Sequence, residues 1–218
     1  MSLDEVAPSQ LPALRALLTV PEQRRADGLR TPAAGRRFTV RRALLRVVLG
    51  GYVGRRPGEL RFARRRGGKP ILLPGRGRSA PHFNASHSDR LAVVAVSWDA
   101  EVGVDLERVR PDLDVDAIVA RYFSTDEARP ISLVPPDLRQ EAFFETWTLK
   151  ESCCKALGTG LRSDLRSFTV PIPCVRPAAV LEPGSGQPVR GLSVVTLGAP
   201  PGYAAGIALR AAGVSGRR

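Results

Sequence analysis

The chain is poor in several residue types: three cysteines, two histidines and one methionine in 218 residues, with aromatic side chains at 6%. Cys153, Cys154 and Cys174 are odd in number and lack metal-binding spacing, so they read as reduced thiols of a cytoplasmic protein. No apolar run approaches the ~20 residues of a membrane-spanning helix. The longest, Leu91 to Val96, suits a buried strand. Met1 to Gln10 carries two acids and no apolar centre, so no signal peptide is expected. A nucleophile elbow, a P-loop and a dinucleotide-binding glycine fingerprint are all missing. The shortage of aromatics argues against a groove that stacks bases between basic residues.

Lysine is scarce in a different way. Of 33 basic residues, all but Lys69, Lys150 and Lys155 are arginine. Lysine offers a compact ammonium whose proton can be given up, which arginine does not, so the three retained lysines are pointers to chemistry. Net charge is +12 and the isoelectric point about 11.0. That balance favours an acidic partner: nucleic acid, a phosphorylated ligand or an acidic protein. An arginine-rich solvated surface explains the charge equally well. Hydrophobic residues at 43% and charged residues at 25% are those of a globular protein with room for one large domain or two small ones.

Local patterns predict alternating helices and hairpins. Leu11, Leu14, Leu17 and Leu18 suggest a short helix, and a clearer one runs from Arg36 to Leu49, stopped by Gly50-Gly51. Leu60 and Phe62 alternate as in a strand, Gly67 to Pro70 is a turn, and His82 to Ser88 leads into a helix or turn. Leu91 to Trp98 and Val102 to Leu106 read as a hairpin through Asp99-Ala100. Ser124 and Glu127 have capping-box spacing. A long helix is expected from an Asp137 cap to a Gly158 stop. Phe168 to Val170, Leu192 to Val195 and Ala204 to Leu209 are strand-like. The expected fold is α+β, dividing near residues 106–116.

Four constellations can carry chemistry. In Val102 to Glu107, Asp105 and Glu107 share one strand face with Cα atoms ~7 Å apart, a spacing that lets two carboxylates share one hard cation. A solvated strand face accounts for the same pattern. On the long helix, Glu151 and Lys155 are four apart and share a face. That helix is apolar nearly all round, and charges on a buried helix need partners or a task. Ser86-His87 is adjacent but not a triad, since neighbours rarely face each other, and a structural histidine is the plainer reading for His87 and His82. Arg24, Arg25, Arg36, Arg37, Arg41, Arg42, Arg46 and the run Arg64 to Arg66 offer a surface for phosphate or acidic protein, or simply a solvated face.

In this order, Gly68-Lys69-Pro70, Phe83-Asn84-Ala85-Ser86-His87-Ser88, Val102-Gly103-Val104-Asp105-Leu106-Glu107, Phe123 to Glu127 and Trp147 to Gly158 resemble the surfactin-synthetase-activating type of 4′-phosphopantetheinyl transferase. The motifs span roughly residues 68–158, and Arg37 extends the likeness into the first helix. The resemblance implies two similar α+β halves, residues 1–106 and 107–218, related by a pseudo-twofold axis with coenzyme A between them. It implies Mg²⁺ on Asp105, Glu107 and Glu151, and the adenosine 3′-phosphate region against Ser86 and His87. Arg37 and Lys69 are implied to bind coenzyme A, with Lys150 and Lys155 near its phosphates. Glu127 matches an acidic family position, which its capping box explains as well. Arg24 cannot be aligned by motif.

The implied reaction moves phosphopantetheine from coenzyme A to a serine of an acidic acyl or peptidyl carrier protein, with Asp105, Glu151 and Lys155 as catalytic residues. A cytoplasmic monomer of secondary metabolite biosynthesis, with neither nucleic acid nor membrane as partner, is the accompanying expectation. The rivals are a metal-dependent nuclease using the same three carboxylates and a non-catalytic nucleic-acid-binding protein.

Overall fold

A computed structural model describes residues 2–65, 67–75, 77, 79–159 and 164–211. Arg66, the last residue of the basic run, lies outside the described residues. Helices α1 (Leu11–Ala16), α2 (Val20–Asp27) and α3 (Pro32–Val53) come first, followed by strands β1 (Phe62–Arg64), β2 (Pro70–Leu72), β3 (His82–Ser88), β4 (Leu91–Ser97) and β5 (Ala100–Arg108). Helices α4 (Val115–Tyr122), α5 (Thr125–Ser132) and α6 (Arg139–Leu157) then precede β6 (Ala178–Leu181), β7 (Pro188–Leu197) and β8 (Tyr203–Ala211). The architecture is α+β, as expected. Among the described residues no helix is long and apolar enough to cross a membrane.

Helix α3 opens with Thr31, whose side chain accepts the Ala34 N–H at 3.2 Å, and with Pro32 in the first turn. It does not stop at Gly50-Gly51. Gly50 is buried, and a Cβ there would stand 2.7 Å from the Arg55 carbonyl oxygen, so glycine lets the returning chain close over the helix. The helix ends at Gly54, in the left-handed region at φ +61°. Leu45 and Leu49 pack against Leu60, Leu72 and Phe83, which seats α3 on the β3–β4 hairpin. Arg46 is buried within this packing, held by Glu22 and by the carbonyls of Pro57 and Leu60.

Two expectations about strands are corrected. Residues 82–88 form β3 and not a helix or turn; β3 pairs antiparallel with β4 across Asp89, which takes φ +48°. The predicted β4–β5 hairpin is absent. β5 pairs instead with β8, in the sheet order β5-β8-β7-β6. Side chains of β3 supply what a backbone ladder would have given β5. Asn84 Oδ1 accepts the Val104 N–H and Ser88 Oγ the Arg108 N–H, each at 3.0 Å. The polar residues Asn84, Ser86 and Ser88 alternate along β3, so all three reach the same neighbour. β5 is continuous over residues 100–108, and the division expected at 106/107 falls inside it.

Helix α6 lies directly on β5 and β8. A Cβ on Gly103 would sit 2.0 Å from the Ser152 carbonyl oxygen, and one on Gly206 3.0 Å from the Leu149 nitrogen. Ser152 Oγ reaches the Gly206 carbonyl at 2.7 Å. The helix begins at Arg139 without a side-chain cap, so Asp137 does not cap it, while Gly158 at φ +72° ends it as expected. Lys150, implied to lie near phosphates, is found elsewhere. It is 0% exposed, with its Nζ donating to both Glu127 oxygens at 2.7 Å and to the Phe168 carbonyl at 2.9 Å. Glu127 Oε2 also accepts the Ser124 N–H at 2.9 Å, the expected capping-box contact, and Oε1 the Val170 N–H at 2.8 Å. A charge on the inner face of a buried helix had to find a partner, and Glu127 provides it.

Two stability outcomes follow. Gly103→Ala should cost ~3 kcal/mol or prevent folding, because backbone and not a flexible side chain blocks the new methyl, whereas Gly51→Ala, with nothing within 4 Å, should gain about 0.5–1 kcal/mol in urea unfolding. Lys150→Met should lose about 3–5 kcal/mol by stranding Glu127, and adding Glu127→Gln should recover part of that loss.

Candidate active site

Three elements bring the chemistry-bearing residues together. Asp105 and Glu107 stand on the face of β5 that Gly103 presents to α6, one and two steps along the same alternation. Glu151 and Lys155 come down from α6, and Ser86 comes across from β3. Lys155 Nζ donates to Asp105 Oδ1 at 2.5 Å, to Ser86 Oγ at 3.0 Å and to the Val104 carbonyl at 3.2 Å. The Ser86 hydroxyl donates to Asp105 Oδ1 at 2.7 Å, and the Ser88 hydroxyl to Glu107 Oε2 at 2.8 Å. Asp105 is 2% exposed, and its second oxygen, Oδ2, is buried with no partner.

Crowded carboxylates with one ammonium among them are under-neutralised. Burial raises the Glu151 pKa to about 7, with Asp105 and Glu107 adding to the rise and Lys155 opposing it. Burial raises that of Glu107 too, with Asp105 adding to the rise and the Ser88 hydrogen bond opposing it. His87 moves the other way, down to about 4, because burial, then Arg41 and Lys155, disfavour its cation. At neutral pH it is a neutral imidazole.

These groups open on a cavity of about 660 Å³ whose other walls include Arg110, Tyr122, Phe143, Phe144 and Trp147. A second cavity, about 730 Å³, is lined by Arg25, Arg41, Arg42, Arg64, Phe38 and Phe62 among others. Ala85, Ser86 and His87 belong to both. Arg25 and Arg41 lie over the Phe38 ring at 5.4 and 5.5 Å, and Arg42 over Phe62 at 4.3 Å. An acidic chamber and a basic one thus share a wall of β3.

Of the residues singled out from the sequence, Asp105, Glu107, Glu151, Lys155, Ser86 and His87 are gathered here. Arg37 and Lys69 are not. Arg37 pairs with Asp4 at 2.7 Å and Asp89 at 3.1 Å and lines neither chamber. Lys69 pairs with Glu101 at 2.8 Å and the Val102 carbonyl at 3.0 Å, beside a separate cavity of about 310 Å³. The aromatic wall on α4 and α6 and Arg110 were not foreseen, and no local pattern marks them. Asn84 was also missed as a positioning residue, although the alternation Asn84, Ser86, Ser88 was there to be read. As placed, no three acidic, histidine or cysteine side chains among the described residues are close enough to hold a metal ion.

A sequence model described as the 4′-phosphopantetheinyl transferase superfamily matches residues 101–204. The chain is 40% identical to the 4′-phosphopantetheinyl transferase HetI of Nostoc sp. over 153 residues, 70% of this chain and 65% of that protein. It therefore spans a little under two thirds of that relative's length. It is 32% identical to the 4′-phosphopantetheinyl transferase psf-1 of Bacillus pumilus over 168 residues, 76% of this chain and 69% of that one. A holo-[acyl-carrier-protein] synthase crystal structure from Thermotoga maritima overlaps 51% of this chain and 62% of its own at a TM-score of 0.38 and 18% identity, too loose an overlap to argue from. With the identity to the Bacillus protein carried across more than two thirds of its length, and the superfamily match opening on the strand that bears Asp105 and Glu107, this chain belongs to the 4′-phosphopantetheinyl transferase superfamily.

Proposed function

We propose that the protein transfers 4′-phosphopantetheine from coenzyme A to a serine of an apo carrier protein, with Mg²⁺ as cofactor. The observation that carries the reading is the buried, unpartnered Asp105 Oδ2 beside Glu107, Glu151 and Lys155. A buried carboxylate oxygen with no hydrogen bond is costly unless something positive answers it. Carboxylate oxygens are the donors a hard divalent cation takes. Asp105, Glu107 and Glu151 would hold the ion, which when bound supplies charge neutralisation on the pyrophosphate.

The chain's own residues do the rest. The carrier serine oxygen bonds to the β-phosphorus that bears pantetheine, the bond from that phosphorus to the bridging oxygen breaks, and adenosine 3′,5′-bisphosphate departs. Glu151, with a pKa near neutrality, takes the serine proton. Lys155 offers its ammonium to the charge that develops on the departing phosphate. Ser86 and neutral His87 face the adenosine 3′-phosphate region, with Arg25 and Arg41 of the basic chamber behind them. Arg37 and Lys69 would have to exchange their carboxylate partners to touch coenzyme A. On this reading the enzyme is a cytoplasmic monomer of secondary metabolite biosynthesis acting on acidic carriers, its halves 1–106 and 107–218 joined through β5. Superfamily membership leaves the nuclease alternative without support.

Incubation with coenzyme A, Mg²⁺ and an apo carrier domain should add the phosphopantetheine mass to the carrier serine. Asp105→Asn and Glu151→Gln should each lower that transfer by ~10²-fold or more, the range of a lost acid–base group. No mass gain on acyl, peptidyl and polyketide carriers alike would remove the proposal.

The raised Glu151 pKa also has a sign. A carboxyl that holds its proton more tightly folded than unfolded stabilises the fold fully below its ordinary range and loses that contribution as pH rises through about 7. His87, held neutral in the fold down to about pH 4, pulls the other way, so the Glu151 contribution is read against Glu151→Gln: between about pH 5 and about pH 8 the metal-free wild type should lose a few degrees relative to that variant. Glu107 contributes in the same direction. The same pH slope in the wild type and Glu151→Gln would remove Glu151 as a contributor.

A further inference from the structure

The ammonium of Lys155 is fully committed. Its three protons go to Asp105 Oδ1, Ser86 Oγ and the Val104 carbonyl, at 2.5, 3.0 and 3.2 Å. None is left for a phosphate. The carboxylate it holds is nearly inaccessible, with Oδ1 taken and Oδ2 unanswered. Nor, among the described residues, are three ligand side chains gathered around a common point.

We propose that Lys155 is the resident counter-ion of Asp105 in the metal-free protein, and that a divalent cation enters by displacing it, which frees the ammonium for the pyrophosphate. The inference rests on the metal reading above but goes beyond it. It makes cation entry and readiness for the anionic substrate one exchange.

The energetics favour a swap over simple addition. With Lys155 on Oδ1, a second cation at the same carboxylate meets the ammonium across a few ångströms in a half-dry site, a repulsion that moving the ammonium away removes. With Lys155 withdrawn, Asp105 loses its hydrogen-bonded partner and needs a new positive charge at once. In either state Asp105 has one positive partner; with neither it is buried unpaired, and only the divalent cation also answers Glu107 and Glu151. The side chain of Lys155 is 26% exposed and opens on the same chamber as Glu107, Glu151 and Arg110, so its ammonium has somewhere to go. Gly103 fixes α6 so closely on β5 that the exchange is a side-chain movement and not a helix shift.

The test needs no turnover. Mn²⁺ binding, followed by electron paramagnetic resonance without coenzyme A, is compared in the wild type, Lys155→Met and Arg110→Met. The last removes a positive charge from the same chamber without releasing Asp105, and so measures the general effect of charge. Lys155→Met should bind Mn²⁺ about tenfold more tightly than the wild type, a mid-range coupling between sites, and several-fold more tightly than Arg110→Met. It should also melt lower without metal and gain more stability from saturating Mn²⁺. If Lys155→Met does not fold, Lys155→Gln, which keeps one donor for Asp105, serves instead with the same expectation. Equal Mn²⁺ affinity in the wild type and the Lys155 variant, or an equal gain in Arg110→Met, overturns the exchange while leaving the metal site standing. No Mn²⁺ binding in any of the proteins overturns the metal reading itself.

Discussion

The contact between the Lys155 ammonium and the Asp105 carboxylate joins three separate stretches of chain, and much of the structure serves to make it possible. Asp105 is buried on β5, Lys155 descends from α6, and Ser86 on β3 bonds to both. A buried carboxylate costs several kcal/mol unless a counter-charge and hydrogen bonds meet it. α6 approaches β5 closely enough to leave no room for a side chain at residue 103, Gly206 makes the same allowance on β8, and the approach brings Lys155 within reach of Asp105. The shared contact surface with α6 is set by absent side chains, and the charges sit one step further along the same strand face.

β3 does two jobs at once. Its Asn84, Ser86 and Ser88 side chains bond to β5, to backbone at Val104 and Arg108 and to carboxylates at Asp105 and Glu107. Its Ala85, Ser86 and His87 form the wall between an acidic chamber and a basic one. In the basic chamber Glu22 is the carboxylate, and it is already bonded to Arg42 and Arg46. Arg25 and Arg41 press against one Phe38 ring. A ligand with an anionic end and a metal-binding pyrophosphate would meet arginines on one side of the strand and, on the other, carboxylates able to hold its cation, a division that needs only side-chain alternation along seven residues.

What could be read in the sequence was governed by range. The face shared by Asp105 and Glu107, the i, i+4 relation of Glu151 and Lys155, the Ser124–Glu127 box and the Gly158 stop are local, and each holds in three dimensions. What failed was long-range. Asp99-Ala100 looks like a hairpin turn, but β5 finds its ladder in β8, a hundred residues on, because β3 satisfies the opposite edge with side chains. Gly50-Gly51 looks like a stop, yet Gly50 is there for a close approach. Lys150 and Lys155 are indistinguishable by type and lie five residues apart. Five residues turn α6 through 140° past one full turn, so one ammonium faces the chamber and the other the core beside Glu127. Motif spacing says which residues matter and not which of them touch.

The central claim is that Asp105 and Lys155 stabilise each other across the junction of β5 and α6. A double-mutant cycle in metal-free buffer measures this directly, using urea unfolding of the wild type, Asp105→Asn, Lys155→Met and the double variant. Each single change should destabilise, and the double variant should be at least ~1.5 kcal/mol more stable than the sum of the two losses allows, since removing both charges strands neither. Losses that simply add would show that the two side chains are neighbours without being partners, and would contradict it.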